Sequence, residues 1–178
     1  MPSRSLLRGQ VRRAWRRTIN GAYSERLVNS ERGLQVHFCI ALLKEFRASK
    51  VIRRLFVEPT IFFADSTKRC PDLVICSARR IIGVVEFKYF PRARPAVEKD
   101  MNTLLRLAAA KDIALANDRF RGAGEVRHYT VARDAVLCWA GVYTGNFLAL
   151  PPRAVSRLGE RFMRVDALTR DGRSVEIP

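Results

Sequence analysis

Two carboxylates and a lysine stand close together in residues 70–88, at Asp72, Glu86 and Lys88. Asp72 precedes one apolar, β-branched run and the other two end a second run, which predicts a β-hairpin. Pairing Asp72 with Glu86 centres the turn on Arg79 and places both carboxylates on one face, with Cβ atoms about 5 Å apart. Strand alternation places Lys88 on that face too. A divalent metal is the simplest partner for two adjacent carboxylates on a buried sheet surface.

The alternative is that these charges lie on a solvated face and pair with some of the many arginines. Ion-pair networks of that kind imitate functional sites. The run from Ile81 to Val85 argues against it, since it is apolar at every position except Gly83 and so resembles a strand covered on both faces. The two acids occur only at the strand ends, where a site would place them.

The composition favours a partner that is a polyanion. The chain has 178 residues, a net charge of +16 and 33 basic residues, most of them arginine. Arginine grips phosphate bidentately, so nucleic acid is the leading partner and an anionic membrane surface ranks well behind it. A GC-rich genome would explain the preference for arginine over lysine, but not the excess positive charge. No apolar run approaches the ~20 residues needed to cross a bilayer, so no membrane span is expected.

The four cysteines do not suggest a metal site of their own. They stand at 39, 70, 76 and 138 without a C-x-x-C pair, and the chain has only two histidines. A structural zinc site is therefore not expected. Cys39, Cys76 and Cys138 have apolar neighbours and are expected to be buried thiols in a reducing cytoplasm.

The N-terminal segment contains six arginines and no acid in residues 1–24. This composition is typical of a basic helix that lies on DNA. It is also typical of an organellar transit peptide, which would change the location from the cytoplasm to an organelle. Trp15, on the same segment, is expected to be a core or packing residue, with stacking on a base as the alternative.

The periodicity predicts a mixed α/β sandwich whose central sheet of hairpin strands is joined through one crossover helix. A single domain is expected, with a basic helix at 1–23, a core at about 24–143, and a helix and hairpin at 144–178. The expected helices are 24–48, 95–117 and 151–159. The expected strands are 53–64, which is bent or interrupted at Pro59, and then 71–77, 81–90, 135–143, 162–168 and 173–177. A basic loop is expected at 119–125. The first of these helices is expected to bury Leu27, Leu34, Phe38, Leu42, Leu43 and Phe46.

The pattern of Pro71-Asp72 followed by Glu86-Phe87-Lys88 resembles the PD-(D/E)XK, or restriction-endonuclease-like, nuclease superfamily. The motif is short and degenerate, and the order of elements over residues 24–143 strengthens it. The resemblance implies an α/β/α sandwich with a central mixed sheet. It also implies Mg²⁺, for which Mn²⁺ can substitute, held by Asp72, Glu86 and the Phe87 backbone carbonyl, with Lys88 orienting the attacking water.

The superfamily usually carries a further acid on its first core helix. Glu31 is our choice, because Glu31, Gln35, Phe38 and Leu42 share one helical face. It would complete the metal shell through a water. The alternatives are Glu25 as the acid, or Glu31 as an ordinary helix N-terminal acid that favours the macrodipole.

These features predict a Mg²⁺-dependent nuclease that hydrolyses phosphodiester bonds in DNA, in a structure-guided or non-specific manner, as a homodimer or with a larger partner. Two alternatives stay open: a nucleic-acid-binding or assembly protein that keeps this fold without cleaving, and a nuclease directed at RNA. The arginines expected to grip phosphate are Arg8, Arg12, Arg13, Arg16, Arg17, Arg92, Arg94, Arg119 and Arg121.

Overall fold

The computed structural model of the protein describes residues 4–118, 125–170 and 174–177. Within them the helices are α1 (Arg4–Thr18), α2 (Glu31–Ala48), α3 (Glu98–Ala109) and α4 (Pro152–Leu158), and a π-helical turn, Ile19–Tyr23, extends α1. The strands are β1 (Arg54–Val57), β2 (Ile61–Phe62), β3 (Lys68–Arg69), β4 (Leu73–Ser77), β5 (Arg80–Phe90), β6 (Asp112–Asp118), β7 (Glu125–Thr144), β8 (Phe162–Arg170) and β9 (Ser174–Glu176).

The described strands form one mixed sheet in the order β1-β4-β5-β7-β6-β2-β3. The long strand β7 is its centre. Along one edge β7 pairs in parallel with β5, while its other edge pairs first with β6, antiparallel, and then with β8, in parallel. The predicted α/β architecture with a central mixed sheet is therefore confirmed.

Helices cover both faces of the sheet, and each face has its own apolar core. The core between the sheet and α1 and α2 contains Phe38, Val85 and Phe87, whereas the core under α3 and α4 contains Val84 and Trp139. Successive residues of β5 therefore point to opposite cores, as strand alternation requires. Among the cysteines, Cys76 and Cys138 are buried as expected, but Cys39 is only partly buried.

The predicted hairpin is β4–β5, with a small difference at its turn. Leu73 pairs with Val85, and the register shifts by one residue between Ile75 and Cys76. Because of this bulge the turn is Ala78-Arg79, with Ala78 at φ 51°, and is not centred on Arg79 alone. The part of the hairpin that carries the carboxylates keeps the predicted register.

Four predicted elements differ in their bounds. The strand expected at 135–143 is β7, which begins ten residues earlier, at Glu125. The helix expected at 24–48 begins only at Glu31, where the Ser30 hydroxyl caps it by accepting a hydrogen bond from the Gly33 N–H at 3.1 Å. Its expected buried side is wrong at Leu27 and Leu43, which are exposed. The strand expected at 53–64 is interrupted around Pro59, as predicted, and its two parts, β1 and β2, cover fewer residues than expected. The helix expected at 95–117 ends at Ala109, after which the chain forms β6.

The N-terminal helix α1 belongs to the core, although its segment was expected outside it. Leu7, Val11 and Ala14 are buried, and Trp15 is only 1% exposed. The Trp15 indole N–H donates to the Asp166 carbonyl at 3.0 Å. Trp15 is therefore a core residue, as expected, and its enclosed ring argues against the alternative of base stacking. None of the described helices is long and apolar enough to cross a membrane.

Candidate active site

Four elements meet at the carboxyl end of β5. Asp72 immediately precedes β4, and continuing the Leu73–Val85 pairing by one residue places it opposite Glu86. Glu86 and Lys88 are two residues apart on β5, so both lie on the face that α3 covers. The predicted juxtaposition of these three side chains is present in the structure.

Asp72 is tied to the backbone of β5. Its Oδ2 accepts a hydrogen bond from the Phe87 N–H at 2.6 Å. In a strand the N–H and C=O of one residue point to the same edge, so the Phe87 carbonyl also points toward Asp72. The Phe87 ring lies on the opposite face, where it meets the Phe38 ring edge-on with 5.2 Å between centroids. The ring anchors the strand, and the Phe87 carbonyl stays beside the two carboxylates.

Glu86 is the more enclosed of the two hairpin acids. It is 5% exposed, and its Oε1 is buried without a hydrogen-bond partner among the described residues. Burial raises its pKa well above the usual value, and the nearby charges of Asp72 and Asp100 raise it further. Burial likewise raises the pKa of Asp72, although the Phe87 N–H partly offsets this. The charge of Lys88 lowers the pKa of both acids, but the net direction for each is upward, so a bound cation would further favour their charged forms.

Glu31 joins this group from the first turn of α2. The Glu31 carboxylate accepts a hydrogen bond from the Tyr89 backbone, and it lies close enough to Lys88 and Asp72 for their charges to affect its pKa. Burial raises the pKa of Glu31, while Lys88 lowers it and Asp72 raises it. The other acid considered, Glu25, is exposed. The structure therefore brings Glu31, as chosen, beside the hairpin acids.

Asp100, on α3, is a site residue that the sequence analysis missed. It is 3% exposed, and its Oδ1 lies 3.0 Å from the Lys88 Nζ. Its Oδ2 accepts a hydrogen bond from the Trp139 Nε1 at 3.3 Å. The sequence carried a signal for it, because Asp100 stands three residues after Val97 and four before Leu104, within the apolar side of an amphipathic helix. An acid in that position needs a buried partner.

Lys88 is held as a cation by its neighbours. Burial alone would lower its pKa, but the carboxylates of Asp100, Glu31 and Asp72 raise it, and the net direction is upward. The site thus combines four carboxyl groups with one ammonium group. Asp100 is paired directly with that ammonium group, whereas the Lys88 charge acts on Asp72 and Glu86 without a direct ion pair among the described residues.

A glycine on β7 makes room for this arrangement. Trp139 and Gly141 share one face of β7, and a Cβ atom at position 141 would overlap the Trp139 ring. The indole can therefore lie over Gly141, which pairs with Lys88 across the two strands. This position directs the Trp139 N–H to Asp100.

The donor set fits a hard cation that keeps several waters. Within residues 4–118, 125–170 and 174–177, no three His, Cys, Asp or Glu side chains are grouped closely enough to hold a metal ion by themselves. Two carboxylates and a backbone carbonyl suffice for Mg²⁺, because it retains water ligands. The partnerless Oε1 of Glu86 is the observation that favours such an ion.

The predicted phosphate-binding arginines fall into different groups. Arg8 donates to the Glu160 carbonyl at 3.0 Å, and Arg13 and Arg17 both pair with Glu45. Among the remaining candidates Arg12, Arg16, Arg92 and Arg94 are exposed, while Arg119 and Arg121 lie outside the described residues. Arg92 and Arg94 directly follow β5, so they lie at the same edge of the sheet as the acids.

Comparisons of the chain with family models, curated proteins and solved structures found no match. The likeness to the nuclease superfamily therefore depends on the residues and geometry of the chain itself. What the geometry adds to the motif is a pair of carboxylates, Glu86 buried and Asp72 partly buried, beside a charged lysine. A hairpin and two helix N-terminal turns position these residues.

Proposed function

We propose that the protein is a Mg²⁺-dependent nuclease that hydrolyses phosphodiester bonds in DNA, of the PD-(D/E)XK type. One observation carries the proposal: Asp72, Glu86 and Lys88 converge at the end of β5, and Glu86 Oε1 is buried there without a partner. A buried carboxylate oxygen without a partner is uncommon in folded proteins and costs about 1–3 kcal/mol, so its presence between these residues favours a bound ion there.

Asp72, Glu86 and the Phe87 carbonyl would hold the metal ion. When bound, the ion would neutralise charge on the scissile phosphate and acidify a water. Asp72 is already oriented for this by the Phe87 N–H, which occupies only its Oδ2. Glu86 is fixed by its burial in β5. The ligands are therefore preorganised by strands and not by a mobile loop.

Lys88 would hold a proton at Nζ beside the reacting phosphate. Because Asp100 fixes one side of the ammonium group, the remaining N–H donors can point toward the carboxylate pair. They would orient the attacking water and stabilise the negative charge that develops on the phosphate oxygens. Glu31, which reaches the site from the other helix layer, would accept a hydrogen bond from a water in the same space.

The substrate class follows from charge. The net charge of +16 and the exposed arginines beyond β5 suit a phosphate backbone. Phosphate contacts position a nucleic acid without reading its sequence, which favours structure-guided or non-specific cleavage.

The direct test is cleavage of plasmid DNA, single-stranded DNA and RNA in EDTA, Mg²⁺ and Mn²⁺. We expect DNA products with either metal and none in EDTA. Asp72→Asn and Glu86→Gln should abolish cleavage, whereas Glu25→Gln, a change of the exposed acid, should not. Melting curves of each variant check that the fold is kept.

Other outcomes point to the alternatives. Binding of DNA without cleavage under every metal condition would favour a binding or assembly protein. Cleavage of RNA alone would transfer the proposal to RNA. Cleavage that persists in EDTA, or in Asp72→Asn, would contradict the metal site.

A further inference from the structure

A pocket of about 230 Å³ opens at the edge of β8, on the side of β7 away from the carboxylate pair. Helix α1 contributes Arg12 and Arg16 to its wall, and the segment after β7 contributes Phe147. Arg164 and Asp166 of β8 form its floor. The candidate active site uses none of these residues.

The two arginines of α1 carry uncompensated charge. Arg12 and Arg16 are one helical turn apart and exposed, and neither forms an ion pair in the part of the chain that the structure describes. Their neighbours on the same helix differ, since Arg13 and Arg17 both pair with the buried Glu45. The pocket thus presents two guanidinium groups that are ready to bind an anion.

The acid in the pocket does not cancel this charge. Asp166 Oδ1 accepts a hydrogen bond from the Tyr143 hydroxyl at 2.7 Å, and its Oδ2 pairs with Arg164 at 2.6 Å. Both carboxylate oxygens therefore have a partner, and the Asp166 residue is only 6% exposed. With Asp166 paired to Arg164, the charge left over comes from Arg12 and Arg16.

Phe147 presents an exposed aromatic ring beside these cations. The Arg164 guanidinium lies 5.3 Å from its ring centroid and also donates to the Leu148 carbonyl at 2.7 Å. Arg164 is itself held by Tyr143 and Asp166, so the ring rests on a fixed support. Phe147 nevertheless remains 53% exposed, which leaves ring surface for a further stacking partner. Trp15 also lines the pocket but is enclosed.

The strand register relates this pocket to the candidate active site. Lys88 pairs with Gly141, and Gly141 pairs with Asp166, so the three lie side by side across the sheet. Two strand spacings separate Lys88 from Asp166, or about 10 Å. A few nucleotides of a single strand span such a distance.

The geometry points to a second nucleic-acid contact in this pocket: Arg12 and Arg16 bind a phosphate of a single-stranded segment, and Phe147 stacks on its base. The choice of nucleic acid as the ligand rests on the proposed function. Stacking on an aromatic ring beside cations is the way in which proteins hold single strands without reading their sequence.

The test measures binding without cleavage, using the full-length protein in EDTA and two labelled strands of equal length. One is oligothymidylate, and the other is an abasic strand of the same charge. Replacing Arg12 and Arg16 together by Ala should weaken the binding of both strands about tenfold and reduce the slope of log affinity against log salt by about 0.7, the value for one phosphate on a single strand. Phe147→Ala should weaken only oligothymidylate, by about tenfold.

The matched control is the pair Arg153→Ala and Arg157→Ala, two exposed arginines with the same spacing on α4. It removes the same charge outside the pocket and should change affinity little. Equal losses in the pocket pair and the control pair would overturn the inference, as would an equal effect of Phe147→Ala on both strands. Arg12→Gln with Arg16→Gln repeats the test if the alanine variant melts early.

The two proposals fail in different ways. If the pocket variants bind the two strands no differently from the control variants, while Mg²⁺-dependent cleavage is intact, only this inference is overturned. Normal binding at the pocket without cleavage under any metal condition would overturn the proposed function and support this inference.

Discussion

Lys88 on β5 and Asp100 on α3 form an ion pair, with 3.0 Å between Nζ and Oδ1, in which both side chains are largely buried. The pair joins the hairpin that carries the metal-binding candidates to the helix layer above it. The second oxygen of Asp100 accepts the Trp139 N–H, so the carboxylate cannot turn away from Lys88. Asp100 is therefore a positioning residue for Lys88.

Asp100→Asn should lower the turnover of DNA cleavage about tenfold and move the alkaline limb of the pH profile to lower pH. The reason is that Asp100 raises the pKa of Lys88 while burial lowers it, so removing the carboxylate leaves the lowering effect. Asn can still accept the Trp139 N–H, which preserves the fold. The measurement is kcat/KM against pH at fixed Mg²⁺. Glu98→Gln, on the same turn but exposed, is the control, and an unmoved alkaline limb in Asp100→Asn would rule out the positioning role.

Glu86→Gln should stabilise the metal-free protein at neutral pH but not in acid. The pKa of Glu86 is raised in the folded state, so above the usual value of 4.5 the folded protein binds more protons than the unfolded one and loses stability as pH rises. Gln removes this loss. We expect Tm in EDTA to rise by about 2–4 °C at pH 7, which is roughly 1 kcal/mol in a chain of this size, and to match the parent near pH 4. A variant that is less stable at both pH values would show that the carboxylate serves structure.

Mg²⁺ and Mn²⁺ should raise the melting temperature of the protein, because an ion that binds only the folded state stabilises it. At a hundredfold excess over Kd the gain is about 2.7 kcal/mol. Asp72→Asn and Glu86→Gln should lose this gain, while Glu25→Gln keeps it. Calorimetry at constant ionic strength separates the effect from general salt screening. If the parent protein and the three variants are stabilised equally, the ion does not bind at Asp72 and Glu86.

Gly141→Ala should destabilise the protein by about 1–3 kcal/mol, the usual cost of overpacking, because the new Cβ would overlap the Trp139 ring. Displacing that ring would also weaken its hydrogen bond to Asp100, so any cleavage activity should fall with stability. Gly21→Ala is the control, since a Cβ there meets nothing within 4 Å. Denaturant unfolding of both variants checks the comparison. Equal stabilities would mean that the indole does not depend on Gly141.

The hairpin acids were predictable because the register of two adjacent strands follows from local alternation. Leu73, Val85 and their neighbours determine which side chains share a face, and this places Asp72 beside Glu86 without long-range information. Asp100 was harder to predict, because its partner Lys88 becomes a neighbour only when α3 crosses the sheet. Its position on the apolar side of a helix was the available signal.

The predicted C-terminal end of α3 was wrong for a different reason. Ile113 and Leu115 are buried in β6 with the two-residue period of a strand, but so short a stretch also fits the end of a helix. The N-terminal segment shows a similar limit. The apolar side of α1, which includes Leu7 and Val11, is buried, yet the many arginines of the segment suggested a helix outside the core. Composition alone did not show that the rest of the fold covers this helix.

The hydrogen bond from Trp15 to Asp166 joins residues 151 positions apart in the chain. Since synthesis proceeds from the N-terminus, the first helix is made long before the strand on which it packs. Until β8 has been made, α1 lacks part of the surface that covers its apolar side in the finished protein. Contacts of such sequence separation slow folding, so the protein should complete its core late. A chain that stops before β8 would expose the Trp15 side of its first helix and be prone to aggregate.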